Sequence, residues 1–598
     1  MEPTGDRRPD RRRLRRVRAA ESHPLQSPSA AEFRRAGLCH ALCPGGDRRV
    51  GGRRALPPRA PRRARLRVRK RAVKSWLPVL GAIIVLTIAA YARWTPPSRA
   101  GDLRPRPDAL EYESGARNML HGTGYYLVVE GRRYPPRYPP GFSVLLVPFL
   151  FAWDGGPGSG IIAVLATALI GTALAIVTGH LVAGPLAGLV AGMLLAASPA
   201  HVRLSRMVMS DVPSACVVAS VGLVLAAAVR RPPIRAWALA VTGLLIGCAT
   251  TIHVTNALLV IPAAVVVATL GGGPARAAAL ASATLVGVAP LLLYDASRFG
   301  SPFATGYGRW ATISFATSFA TAPPVGGGTE PNLSFYGRTL AGLGDLYPWP
   351  WAVLIALGAV CALRSKRRDE RAVVMLGALF LALLCGVYVT FFWQASRFLI
   401  PALPLLVALA GLPFASHRAR TTRMAAASLV LAGLLVLARS PALYRQDMFL
   451  GEADMLREVA SKTEPDAVLV IRTNEHFFSL LLRANGADRV WVPLDLDEHM
   501  LAVRWFKPPP VDPSTPVPAW IDESFAGPYA ADRAPAAMHA LLATGRPVYV
   551  SGLLGNQVPW FRAFLQMLNL RFTTTRVATV PGVELYRVGE LGGRSPRP

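Results

Sequence analysis

Three carboxylates and a tyrosine crowd into six positions of "PDALEYESGARNMLHGTGYYL" (107–127): Asp108, Glu111, Tyr112 and Glu113. In a helix, positions 108, 111, 112 and 115 share one face, because residues three and four apart are neighbours. Asp108, Glu111 and Tyr112 would then point together over Gly115. Two readings are open. Asp108 can cap the helix, with Glu111 completing a capping-box-like pair. Alternatively, one carboxylate can take the proton from an attacking hydroxyl.

Other stretches supply the complementary charge. "SPAHVRLSRMVMSDVPS" (198–214) carries His201, Arg203, Arg206 and Asp211, "ATTIHVTNALL" carries His253, and "FFWQASRFLIPALPLL" carries Gln394 and Arg397. A guanidinium fork matches phosphate oxygens, and it can hold the charge that grows on a departing phosphate. Carboxylates facing arginines beside lipid therefore point to glycosyl transfer from a polyprenyl-phosphate sugar. The candidate catalytic residues are Asp108, Glu111 and Asp211. The candidate substrate-binding residues are Tyr112, Tyr138, Arg203, Arg206, His253 and Arg397. Tyr138 lies in "RYPPRYPPGF" (133–142), where proline pairs impose an extended turn and Tyr134 and Tyr138 offer rings to a sugar. Asp108, Glu111 and Asp211 could hold a divalent cation if they converge. No metal or cofactor is otherwise indicated.

The elements that must position these residues are membrane helices. The chain has 598 residues, 52% of them apolar, with a mean hydropathy of +0.34. Apolar runs recur from about residue 75 to 440, and about 20 apolar residues suffice to cross a bilayer. Eleven spans are expected, at 75–94, 160–180, 182–199, 212–229, 236–250, 254–270, 276–294, 349–363, 371–392, 397–414 and 423–439. "GFSVLLVPFLFAW" (141–153) is too short to span and reads as interfacial. With the N-terminus inside, the inner loops hold Arg230, Arg231, Arg235, Arg276, "RSKRRDER" (364–371) and "HRARTTR" (417–423), as the positive-inside rule expects. The first outside loop, 95–159, and the other polar stretches named above then share one face.

The formal charge of +31 suggests nucleic acid, but its distribution argues against it. Residues 1–75 hold 23 of the 66 Lys and Arg, and Phe33 is the one Phe, Tyr or Trp among them, too few for the stacking a nucleic-acid groove would require. Arginine far outnumbers lysine, the usage of a GC-rich bacterial coding sequence. Residues 1–72 read as a disordered basic tail, and Cys39, His40 and Cys43 within it as a chance pairing. The six cysteines form no disulfide framework. After residue 440, "DAVLVIRTN", "RVWVPLD", "RPVYVSGLL" and "VELYRVGE" read as strands. "EHFFSLLLRANG", "APAAMHALLATG" and "VPWFRAFLQMLNL" read as helices between them, making a small α/β domain. No Gly-rich phosphate loop follows its first strand, and "PPVGGGTEPN" (323–332) reads as an outside loop or lid.

The order of "PDALEYESGARNMLHGTGY", "YPPRYPPGFSVLLVPF", "SPAHVRLSRMVMSDVPS", "FGSPFATGYG" (299–308) and "SRFLIPALPLL" (396–406) resembles the integral-membrane glycosyltransferases of the C-type fold. The likeness is to bacterial relatives of protein O-mannosyltransferases and of the lipid A aminoarabinose transferase, and it covers roughly residues 75–415. It implies a catalytic base in the first outside loop at Asp108, a second functional acid at Asp211, and lipid-phosphate contact near Arg397. Relatives often carry Lys or Arg where His253 stands, and the second loop acid is Glu111 rather than the immediate neighbour of Asp108.

The expectation is thus a polytopic α-helical membrane protein of the C-type glycosyltransferase fold. It has a basic tail (1–72), a transmembrane domain (73–440) and an extracytoplasmic α/β domain (441–598). Its place is the bacterial cytoplasmic membrane, with the N-terminus cytoplasmic. Its partners are a polyprenyl-phosphate sugar donor, membrane lipid, and a lipid, glycan or protein acceptor. A transporter or flippase of lipid-linked sugars is the alternative, though internal repeats and paired broken helices are not evident.

Overall fold

The computed structural model describes residues 62–94, 107–129, 132–153, 159–307, 330–391, 394–444, 459, 461–471, 490–493, 530–551, 559–580 and 583–591. Every one of the eleven expected spans is helical. Eight helices among the described residues are long and apolar enough to cross a membrane: Trp76–Arg93, Ser159–Ala183, Asp211–Ala228, Val254–Gly272, Pro274–Phe299, Arg368–Tyr388, Ser396–Phe414 and Arg420–Ala438. The other three, Pro185–Ala197, Ala236–Ile252 and Trp349–Leu363, are shorter, as is the interfacial Gly141–Ala152. Pro185 and Pro274 each stand at the first position of their helix, where the missing N–H has no partner to lose.

Surface character shows which spans face lipid. Ile83, Ile84 and Ile88 of the first span are exposed, as are Leu285, Val286 and Leu293 of Pro274–Phe299. Such an apolar belt would be costly in water and is the expected surface of an integral membrane protein. In contrast, Ser396–Phe414 is almost wholly buried, running through the middle of the bundle. Its first turns, Ser396–Ala402, wind as a 3-10 helix. Pro401 and Pro404 carry no N–H to close α-helical turns over residues 397–400. That tight entry places Arg397 at the mouth of the central span.

The helix that carries the acidic stretch runs Pro107–Leu120. Behind it, β1 (Leu127–Val129) pairs antiparallel with β2 (Arg132–Tyr134). The hairpin returns the chain so that residues 137 and 138 lie against the acids. The first helix begins at Arg62, ahead of the expected boundary at residue 73. Pro61 precedes that start, and straight-chain arginines are good helix formers once a span propagates into them.

Toward the C-terminus, β3 (Val468–Ile471), β4 (Val490–Pro493), β5 (Val548–Ser551), β6 (Phe572–Val580) and β7 (Val583–Glu590) form one sheet in the order β4-β3-β5-β7-β6. The first three pair parallel, and β7 runs antiparallel to both β5 and β6. Helices Ala530–Leu542 and Pro559–Asn569 supply Met538, Leu541, Phe561, Phe564 and Leu568 to a core with Val468, Val548, Val550, Phe572 and Val588. The expected helix at "EHFFSLLLRANG", the lid at 323–332 and the Cys39–Cys43 pair lie largely or wholly outside the described residues.

Candidate active site

Asp108 sits in the first turn of Pro107–Leu120, and its carboxylate reaches other elements. Tyr138 Oη donates to Oδ1 at 2.6 Å, and Arg137 Nη2 lies 3.4 Å from the same oxygen. Arg397 Nη1 and Nη2 donate to Oδ2 at 3.1 and 3.2 Å. Burial raises the Tyr138 phenol well above its ordinary range, so it stays protonated and donates. The Asp108 and Arg397 side chains keep 14% and 21% of their exposure. Both partners of this ion pair can therefore be reached.

Glu111, three residues on, is wholly buried. Its Oε1 accepts from the backbone N–H of Arg137 and, at 3.1 Å, from that of Tyr138. Its Oε2 lies 3.3 Å from Arg137 Nε. Arg137 thus bridges the two acids and relieves their repulsion. Burial pushes the Glu111 carboxyl up to about 7, opposed by Arg137 and the two backbone N–H groups. The expected shared face is present, but it divides the labour. Asp108 faces the opening, and Glu111 fastens residues 137 and 138 beneath it.

Tyr112 completes the face. Its ring lies 4.7 Å from that of Tyr138, and its hydroxyl is 3.0 Å from Ser210 Oγ. Gly115 is needed one turn later, because a Cβ there would collide with the Tyr125 ring. Glu113 points elsewhere, its carboxylate 3.9 Å from Arg117.

Asp211 opens the helix Asp211–Ala228 beside Ser210 and is buried. It acts through space on Arg397, His253 and Tyr112. His253 separates two helices; burial holds it below the usual imidazole range, opposed by Asp211. Its Nδ1 is 2.8 Å from Thr255 Oγ1, to which Tyr388 Oη donates at 3.2 Å. The ring of Tyr388 stacks on Phe398 at 4.3 Å, next to Arg397. Asp108, Glu111, Tyr112, Tyr138, Asp211, His253 and Arg397 therefore form one neighbourhood.

Arg203 and Arg206 do not join it through their described hydrogen bonds. Arg203 pairs with Asp345 and donates to Leu443 O at 2.9 Å, whereas Arg206 donates to Ala92 O and Tyr444 O. They tie the short helix Pro199–Leu204 and its following turn to the first span and to the 441–444 segment. His201 is likewise inward, its Nδ1 2.8 Å from Arg93 Nη2. Gln394 donates to Glu330 O.

Sequence reasoning passed over Arg137, although it stands between two proline pairs in the loop that holds the acids. It also passed over Tyr307 of "FGSPFATGYG", whose ring lies 5.3 Å from Tyr138. Gly306 lets this segment approach, because a Cβ there would strike the backbone of Pro136 and Arg137. Among the described residues, no group of three His, Cys, Asp or Glu side chains could hold a metal ion. The described cations on Asp108 are the guanidinium groups of Arg137 and Arg397.

No protein-family model matches the chain, and no curated protein matches it by sequence. Solved structures do match in fold. ArnT from Cupriavidus metallidurans in the apo state superposes with a TM-score of 0.55 at 16% identity, over 86% of this chain and 98% of that one. The same protein bound to undecaprenyl phosphate gives the same values. An oligosaccharyltransferase from Archaeoglobus fulgidus in the apo form superposes with a TM-score of 0.50 at 11% identity, over 88% of this chain and 76% of that one. The protein has the C-type glycosyltransferase fold: a polytopic helical membrane domain followed by a small mixed sheet with helices.

Proposed function

We propose that the protein is a glycosyltransferase that moves a sugar from a polyprenyl-phosphate-linked donor to a lipid, glycan or protein acceptor. Asp108 is the general base, and the site faces the extracytoplasmic side of the bacterial cytoplasmic membrane. The reading rests on one observation above all: a reachable carboxylate and a reachable guanidinium, paired with each other at the mouth of the central span. That ArnT was solved with undecaprenyl phosphate bound supports a lipid phosphate as the partner class.

In this reaction the acceptor hydroxyl oxygen attacks the anomeric carbon of the donor. The bond from that carbon to the phosphate oxygen breaks, and polyprenyl phosphate leaves with the electron pair. The hydroxyl proton passes to Asp108. Arg397 donates to the departing phosphate as its charge grows. At rest, Arg397 neutralises Asp108. An arriving phosphate competes for that guanidinium, while Tyr138 and Arg137 keep the carboxylate in place. The base is released when the donor is seated.

The purified protein in lipid nanodiscs, given undecaprenyl phosphate carrying a labelled sugar and bacterial envelope acceptors, should move the label and release undecaprenyl phosphate. Failure to bind undecaprenyl phosphate would overturn the reading. The orientation has its own test in a cysteine-free background. Single cysteines at positions 330 and 530 should react with an impermeant thiol reagent in intact cells, and one at 367 should not. The reverse pattern would place the site on the cytoplasmic side.

A further inference from the structure

Asparagine is common at helix starts because its side-chain oxygen can accept from the first backbone N–H groups of that helix. Asn332 is the first residue of the helix Asn332–Leu340, and its oxygen does nothing of the kind. Oδ1 is buried and has no hydrogen-bond partner among the described residues. The amide nitrogen instead reaches away from its own helix. Asn332 Nδ2 donates to Tyr388 O at 3.3 Å, Val389 O at 3.2 Å and Phe391 O at 2.6 Å. The whole side chain is buried.

Those carbonyls belong to the end of the helix Arg368–Tyr388 and the turn that follows it. The last carbonyls of a helix have no donor within the helix, so one must come from elsewhere. Asn332 supplies it. Beyond the turn, Gln394 Nε2 donates to Glu330 O. The segment 330–332 therefore holds the turn from both sides.

The rings at the start of this turn support Arg397. Tyr388 lies parallel to Phe398 with ring centres 4.3 Å apart, and Phe391 meets the same ring edge-on at 5.6 Å. The Arg397 guanidinium lies 5.3 Å from the centre of the Phe398 ring. The 3-10 turn Ser396–Ala402 that carries Arg397 lacks a backbone donor at Pro401, so it leans on this side-chain packing. A buried amide with an unpaired oxygen is costly, and an apolar side chain would fill the space without that cost. The donors of Asn332 are what an apolar side chain could not replace.

We propose that Asn332 is a positioning residue for recognition of the lipid phosphate. By holding the Tyr388–Phe391 turn it keeps Phe398 in place, and with it the direction of the Arg397 fork. The inference rests on the phosphate role of Arg397 proposed above, and Asn332 acts through that arginine.

The test measures the affinity of the full-length protein in nanodiscs for undecaprenyl phosphate, in the wild-type and Arg397→Lys backgrounds. In the wild-type background, Asn332→Ala should raise the Kd by about 3- to 10-fold, the range for losing one or two neutral hydrogen bonds. The number of binding sites per folded molecule should not change. In the Arg397→Lys background the same substitution should shift the Kd by less than about twofold, because the fork it aims is already gone. Asn332→Ser keeps a single donor and should fall between Asn332→Ala and the wild type. It carries the test if the alanine variant does not fold.

An unchanged Kd in the folded variant would make Asn332 a helix cap and no more, and would overturn the inference, even if less of the protein were competent to bind. An equal rise in both backgrounds would overturn it too, since Asn332 would then not act through Arg397. A wild type that binds no undecaprenyl phosphate would instead overturn the proposed function, and this inference with it.

Discussion

The helix Arg368–Tyr388 joins two arginine–carboxylate clusters of opposite character. At its start, Asp369 and Glu370 are closed in. Arg230 Nε and Arg367 Nη2 each lie 2.8 Å from Asp369 Oδ2. Arg418 Nη2 lies 2.6 Å from Glu370 Oε2, and His417 Nε2 lies 3.3 Å from Oε1. The Glu370 side chain has no exposure at all. Both acids also sit in the first turn, where the helix dipole favours negative charge. At its far end, about 30 Å away for 21 residues, Tyr388 packs on Phe398 beside the open Asp108–Arg397 pair. The chemical groups are the same. One cluster ties three loops together and leaves nothing to bind, whereas the other leaves both partners reachable beside a pocket. Reachability separates a brace from a site.

Substitutions should break this comparison in opposite ways. The largest effect is expected from Asp108→Asn. Sugar transfer should fall by about 10²–10⁴-fold, the usual range for loss of a general base, with little change in the thermal midpoint. Near-normal transfer by the folded variant would return Asp108 to a structural role. Arg418→Ala at the closed end should do the reverse. It leaves Glu370 buried with much of its compensation gone, at a cost of about 3–5 kcal/mol, while transfer per folded molecule stays at the wild-type level. A stable variant with impaired transfer would show that the brace is coupled to the site.

Arg397→Lys keeps the charge but loses the fork. It should raise the KM for the lipid-linked donor by roughly tenfold, with a smaller change in stability. Unchanged donor dependence would make Arg397 an interfacial anchor.

The smallest effect concerns Glu111. Its carboxyl is pushed from an ordinary 4.5 to about 7, chiefly by burial, so the folded protein holds this proton more tightly than the unfolded chain. The contribution of Glu111 to stability is then most favourable below pH 4.5 and declines as pH rises to about 7. Glu111→Gln should flatten the thermal midpoint across that window, and a slope identical to wild type would contradict the assignment.

Much of this was legible in the sequence because membrane helices announce themselves. Apolar runs placed a helix at each of the eleven expected stretches, eight of them long and apolar enough to cross a membrane, and the i, i+3, i+4 rule placed Asp108, Glu111 and Tyr112 on one face. The same rule could not tell which acid would face the opening. That depended on where the β1–β2 hairpin returned Arg137 and Tyr138, a tertiary event with no local signature. The partners of Arg203 and Arg206 were not legible for a related reason. An arginine near a helix mouth can grip backbone carbonyls as readily as phosphate, and here Leu443, Ala92 and Tyr444 accept from them. The strand β6 was missed although "RFTTTRVATV" is rich in β-branched residues, a signal that was present and passed over.

The central claim is that a lipid phosphate takes Arg397 from Asp108. It is tested most directly by the affinity of purified wild-type and Asp108→Asn protein for bare undecaprenyl phosphate. Asparagine holds the guanidinium less firmly than a carboxylate does. Asp108→Asn should therefore bind undecaprenyl phosphate several-fold more tightly than wild type even as its transfer rate collapses. Binding that is unchanged or weaker in a folded Asp108→Asn protein would contradict the account.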